Sequence, residues 1–209
     1  MSSQRFNTFV RFLIRWEGAT NAKDGEDTEA TYLRAMPFAF SNHRADSGGP
    51  TMMGVTLHLF TLWRMHICHL PQPAIDDLRK MTFSEWQDIV RNCCWLPVRA
   101  DLMPYDCFAI ALADWYWHSG KVAVLKAQTL LHAEPDAVVG RKTLFAARRL
   151  MSTRERGRQT ATKLTETRRE WLMCLAERRP KDRAFVEGWN NRLDALLAMF
   201  NTLDLLPGE

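Results

Sequence analysis

The chain has 209 residues, 46% hydrophobic and 25% charged, which is enough apolar material for one large domain or two small ones and too much for a disordered polymer. No run of about 18 uninterrupted apolar residues occurs, which argues against a membrane span. A formal net charge of +4 is modest, and the five cysteines, an odd number with Cys93 and Cys94 adjacent, give no disulfide framework and read as reduced thiols.

The first predicted element is an amphipathic helix ending at Trp16-Glu17-Gly18. Phe6, Phe9, Val10, Leu13 and Ile14 recur at helical spacing and mark a core-facing stripe. Glu17 follows Phe6 by eleven positions, which at about 100° per residue returns it to nearly the same azimuth. A carboxyl is therefore expected where the helix leaves the core. Burial and the negative end of the helix dipole would both favour its protonated form, ready to give a proton to a leaving oxygen; an exposed terminal glutamate is the plainer reading. Arg5, Arg11, Arg15 and Glu17 interrupt this segment, so it lacks a signal-peptide core, and synthesis in the cytoplasm is the expectation.

Residues 19 to 44 begin acidic, with Asp24, Glu26, Asp27 and Glu29, and turn apolar at Met36, Pro37, Phe38 and Phe40. A flap over a cleft and an ordinary surface loop fit equally. Extended structure is expected only around 41 to 56, where the glycines of Asp46-Ser47-Gly48-Gly49-Pro50-Thr51 and Gly54-Val55-Thr56 allow a small hairpin to face the end of the first helix. Thr56 is placed as the cap of a segment to about His66, and Ser84 with Gln87 as a capping box opening a helix to about Trp95. A break near 96 to 103, with Pro97 and Pro104, divides the chain into expected lobes at 1–97 and 98–209. Pro104 opens a helix that stops near Gly120. Further helices are predicted over about 121–132, 141–151, 154–178 and 184–202, the last with Phe185, Trp189, Leu193, Leu196, Leu197 and Phe200 inward.

Trp16-Glu17-Gly18, the string Asp46-x-Gly48-Gly49-x-Thr51-x-x-Gly54-Val55-Thr56, and a later Asp114 to Gly120 followed by Gln128, Asp136, Gly140 and Thr143 resemble the N-acetylmuramidase family of phage and bacterial glycoside hydrolases. Phe185-x-x-Gly188-Trp189-x-x-Arg192 looks like the end of the peptidoglycan-binding segment that accompanies it. The resemblance implies a mainly α, lysozyme-like helical fold with a small β-hairpin beside the active-site helix, cutting the glycan strand of peptidoglycan, with Glu17 catalytic. It also has departures. Ala19 replaces the usual second glycine, the link from glutamate to aspartate is expanded, and the Leu-Gln and Asp-Gly pairs appear as Ala127-Gln128 and Asp136-Ala137.

Glycosidic cleavage needs one group to protonate the leaving oxygen and another to place water or stabilise positive charge at the sugar carbon. By the same resemblance Asp46 would orient or activate water and the Thr51 hydroxyl hold it. Both residues are equally readable as turn chemistry. Trp16, Asp114, Trp115, Trp117 and His118 are the candidate substrate contacts, against the plainer reading that large aromatics supply core area. His66-Ile67-Cys68-His69 and Cys93-Cys94 offer zinc-type ligands at spacings that fit no usual pattern, so neither metal nor cofactor is expected. The dense run of arginines and lysines from Arg141 to Arg179 suits an anionic wall polymer or plain solvation; nucleic acid ranks below both in the absence of a DNA-binding motif. The sequence thus predicts an endo-acting muramidase that hydrolyses the bond between N-acetylmuramic acid and N-acetylglucosamine and meets the wall after release or export. A nonenzymatic wall-binding protein and a lytic transglycosylase are the alternatives.

Overall fold

The apolar stripe at the start of the chain does form a helix. In a computed structural model, which describes residues 4–18, 26–42 and 49–203, α1 spans Gln4–Glu17 and buries Phe6, Phe9, Val10, Phe12, Leu13 and Ile14. Each such side chain contributes about 1.5–3 kcal/mol when fully buried, so α1 is fixed by its core face, with Arg91 adding a guanidinium 4.2 Å from the centre of the Phe6 ring. The described residues are mainly helical with one small antiparallel sheet. Two compact units divide between Cys93 and Cys94.

In the first unit, residues 26–42 of the segment expected as flap or loop are built structure. Residues Thr28–Ala35 form helix α2, capped by the Asp27 carboxylate on the Ala30 N–H, and Met36–Phe38 continue as a 3-10 turn. Tyr32 is buried in the hydrophobic core and donates its hydroxyl to the Met81 carbonyl at 2.8 Å. Residues Phe40–Ser41 then form strand β1, which pairs with β2 (Thr51–Met52), itself paired with β3 (Val55–Thr56). The expected hairpin is therefore a three-stranded sheet, because the insertion donates an edge strand that a two-strand reading of 41 to 56 could not anticipate.

The β2–β3 turn is Met53-Gly54, with φ of 48° and 76°. Positive φ at both central residues matches the right-handed strand twist, at some strain for a non-glycine. Met53 is fully buried and its carbonyl accepts from Trp86 Nε1 at 2.9 Å, so packing and a buried hydrogen bond hold the strained residue in place. Thr56 caps α3 (Leu57–Leu62), as expected, through the Leu59 N–H, and the helix runs on as a π-turn to Ile67. After α4 (Ile75–Arg79), α5 covers Phe83–Val90. Its capping box is Thr82 with Glu85, two residues before the expected Ser84 with Gln87: Thr82 Oγ1 accepts from the Glu85 N–H at 3.2 Å, and the Glu85 carboxylate accepts from the Thr82 N–H at 2.8 Å. The same four-residue pattern occurs in both registers, and the carboxylate is favoured at a helix N-terminus.

The second unit is organised around α6, Asp106–Ser119, buried without a break from Cys107 to Trp115. It starts two residues after Pro104, not at it, since Tyr105 with φ −138° occupies the cap position. Helices α7 (Lys121–Leu130), α8 (Arg141–Leu150), α9 (Arg154–Arg178) and α10 (Val186–Leu203) come next, and α7, α9 and α10 pack on α6. Gly157 sits inside α9, where glycine ordinarily costs about 1 kcal/mol against alanine. Its reason is steric: an added Cβ would lie 2.4 Å from the Tyr105 ring. Phe185, expected inward, is 58% exposed because residues Pro180–Phe185 form a 3-10 turn ahead of α10, which takes Phe185 off the helical stripe.

Among the described residues no helix is long and apolar enough to cross a membrane.

Candidate active site

Glu17 is the last residue of α1 and is half-buried. The next residue, Gly18, is tightly constrained. A Cβ added to Gly18 would lie 2.8 Å from Met53 Sδ and 3.0 Å from the Ala39 Cβ, so the end of α1 is packed against both the β2–β3 turn and the insertion. The register of β1 on β2 sets Ser41 opposite Thr51 and Phe40 opposite Met52. Residues 39–41 of the insertion thus lead from the residue after Glu17 to the partner position of Thr51, two of the three expected catalytic residues. Thr51 is half-buried, and its hydroxyl donates to the Gly49 carbonyl at 3.0 Å. With its proton directed there, the Thr51 oxygen presents lone pairs that can accept from a water. Asp46 lies outside the described residues. Trp16 is half-buried, its ring 6.3 Å from that of Phe12.

The other expected contacts belong to the second unit, and two of them are closed to a ligand. Asp114 and Trp115 are fully buried. Asp114 accepts from Arg168 Nη1 at 2.6 Å, from Arg192 Nη2 at 2.6 Å and from Arg192 Nε at 3.2 Å. Burial alone would push its carboxyl up; the guanidiniums of Arg192 and Arg168 overcome this and hold it well below the usual carboxylate range. Asp114 therefore ties α6 to α9 and α10, and Trp115 packs against Trp171 with ring centres 6.1 Å apart. The reason is position: both lie on the stretch of α6 that is buried on every side. Trp117 is half-buried and His118 exposed. His118 Nδ1 lies 3.0 Å from the Asp114 carbonyl oxygen and 3.2 Å from Arg168 Nη2.

Sequence reasoning misses Arg168 and Arg192 as the partners of Asp114. Arg192 stands in the wall-binding resemblance, but nothing in its spacing points to a residue 78 positions earlier. The resemblance residues Gln128, Asp136 and Thr143 do converge. The amide nitrogen of buried Gln128 lies 2.7 Å from the Asp136 carboxylate, 3.0 Å from the Val138 carbonyl and 3.1 Å from Thr143 Oγ1, its two protons serving the three acceptors, and the amide oxygen accepts from the Ala137 N–H at 2.9 Å. One side chain thereby shapes the whole loop ahead of α8, in which Ala137 takes φ 63° where the family pattern has glycine. Bonds from Gln128 and from the Val138 N–H hold the Asp136 carboxyl below its ordinary value.

Among the described residues no three His, Cys, Asp or Glu side chains cluster as a metal site. Burial pushes the Cys93 thiol up to about 11, with Asp88 adding to it, and raises that of Cys68 as well; both are protonated at neutral pH and poorly suited to nucleophilic work.

Comparison with known proteins fits this layout. None of the curated proteins matches the chain. The solved structure of SagA from Brucella abortus is similar to it, with 25% identity over 85% of this chain and 97% of that one and a TM-score of 0.64. Residues 122–194 match a family described as a predicted peptidoglycan domain, which makes peptidoglycan the partner. Residues 10–120, more than half of the chain, match glycosyl hydrolase 108, and the chain accordingly belongs to the glycosyl hydrolase 108 family, a glycoside hydrolase that acts on peptidoglycan.

Proposed function

We propose that the protein is an endo-acting muramidase that hydrolyses the glycosidic bond between N-acetylmuramic acid and N-acetylglucosamine, with Glu17 as general acid. The observation that carries this reading is the end of α1: a carboxyl at the last helical residue, followed by a glycine whose missing side chain lets Met53 of the β2–β3 turn and Ala39 of the insertion close in. Glu17 protonates the leaving oxygen as the bond breaks, and water adds to the sugar carbon. The Thr51 oxygen accepts a hydrogen bond from that water while its own proton stays on Gly49. Asp46 completes the assignment as the group that orients or activates the water, by resemblance and by its place on the same Gly-Gly-x-Thr string. The second unit supplies affinity for the wall. In cells, the enzyme meets its substrate after release or export.

Mass analysis of the products from purified peptidoglycan tests this. Reducing muramic acid ends, each carrying one added water, are the expected result. Anhydro-muramic ends would replace hydrolysis by transglycosylation, and reducing N-acetylglucosamine ends would move the cut to the other bond.

A further inference from the structure

The insertion between Glu17 and Thr51 carries a side chain that neither the fold nor the assigned catalytic groups account for. Phe38 is 87% exposed. A single exposed apolar residue is ordinary on a protein surface; the location of this one is what matters. Ala39, the next residue, has its Cβ 3.0 Å from the position a Gly18 side chain would take, and Ser41, three residues on, is paired with Thr51. Phe38 therefore immediately precedes a three-residue stretch, 39–41, that begins against the residue after Glu17 and ends opposite Thr51.

Its neighbour Phe40 has a structural job, lying half-buried with the Arg79 guanidinium 4.2 Å above its ring. Phe38 has no ring partner among the described residues. The backbone that presents it is stiff: Pro37 restricts the 3-10 turn, and the preceding helix is anchored by the Tyr32 hydroxyl on Met81. A backbone held in place reduces the conformational entropy lost when a flat ligand settles on the ring it carries.

We propose that Phe38 is a specificity residue of the glycan site, an aromatic platform on which the apolar face of an N-acetylated sugar ring of the strand stacks, next to the bond being cut. The proposal rests on the reading of Glu17 and Thr51 as the reaction centre and adds a binding element that belongs to the insertion of this chain. Phe38 contributes to holding the strand equally in ground and transition states, so its loss raises KM and leaves kcat nearly unchanged.

The test uses the full chain and soluble glycan strands freed of their stem peptides, with reducing-end release followed over strand concentration. Phe38→Ala is expected to raise KM by about three- to tenfold, which is about 0.7–1.4 kcal/mol at 1.4 kcal/mol per tenfold. Phe38→Leu, which keeps the apolar bulk without the ring, should behave like the alanine variant, and Phe38→Trp should restore or exceed the wild-type KM. Thermal midpoints should stay together because the side chain is exposed. A KM for Phe38→Ala within twofold of wild type, or a Phe38→Leu enzyme equal to wild type, overturns the stacking assignment. Full turnover by Glu17→Gln combined with a raised KM for Phe38→Ala would instead remove Glu17 from its role and keep the platform.

Discussion

Gly18 and Met53 are packed so closely that a side chain at position 18 would force one of them to move: the missing Cβ would lie 2.8 Å from Met53 Sδ. Met53 is fully buried in a left-handed turn, so the sulfur has little room to yield. Overpacking of this kind costs about 1–3 kcal/mol, and a displacement near 1 Å at a reacting group can cost about a hundredfold in rate. Gly18→Ala should lower the thermal midpoint by several degrees and reduce reducing-end release at least tenfold. Calorimetry and kinetics on the same preparation check this; wild-type values for both would mean that the end of α1 tolerates displacement.

Asp114 carries the acid sensitivity of the second unit. Its carboxyl is depressed in the folded protein, so the stabilisation is complete at pH values above the ordinary carboxylate range, near 4, and is lost as the pH falls from there toward the folded value. Asp114→Asn leaves Arg168 and Arg192 facing each other without their counter-charge, a change that typically costs about 3–5 kcal/mol. Urea unfolding from pH 7 to pH 2 should show the variant markedly less stable at neutral pH, with the difference from wild type narrowing below pH 4. A constant difference over the whole range would contradict a depressed Asp114 carboxyl.

Helix α8 presents Arg141, Lys142, Phe145, Arg148 and Arg149 to solvent, and Phe145 is 68% exposed. Exposed charges act over a screening length of about 10 Å at 0.1 M salt and about 3 Å at 1 M. Sedimentation with insoluble peptidoglycan should therefore fall with salt, while cleavage of soluble strands changes less. Reversing Arg148 and Arg149 to glutamate should mimic high salt. A bound fraction indifferent to salt would show that the second unit grips the wall without its charge.

The parts of the fold that depend on local pattern were legible in the sequence. The stripe from Phe6 to Ile14 forms α1, and Thr56 caps α3, because helical periodicity and a cap are local signals. The parts that depend on distant partners were not. An acidic stretch around Glu26 and Asp27 reads as loop until the Tyr32–Met81 bond and the β1–β2 pairing give it something to fold against. Asp114 and Trp115 sit in a motif that reads as binding or, more plainly, as core, and the Arg168 and Arg192 that hold Asp114 arrive from two later helices and leave no mark in it. Glu17 and Thr51 were legible as candidates because the family string carries them; the insertion was legible as an expanded link, but its place beside Thr51 was not, since its register on β2 is set by pairing and leaves no mark in spacing.

The most direct test of the central claim is the activity of Glu17→Gln. The substitution keeps shape and volume and removes the transferable proton, and general acid catalysis typically contributes 10²- to 10⁴-fold. Reducing-end release from peptidoglycan should fall by about that factor or more, while circular dichroism and sedimentation with the wall remain those of wild type. Near-normal turnover by the glutamine variant, with its fold intact, would place the proton donor elsewhere and contradict the account.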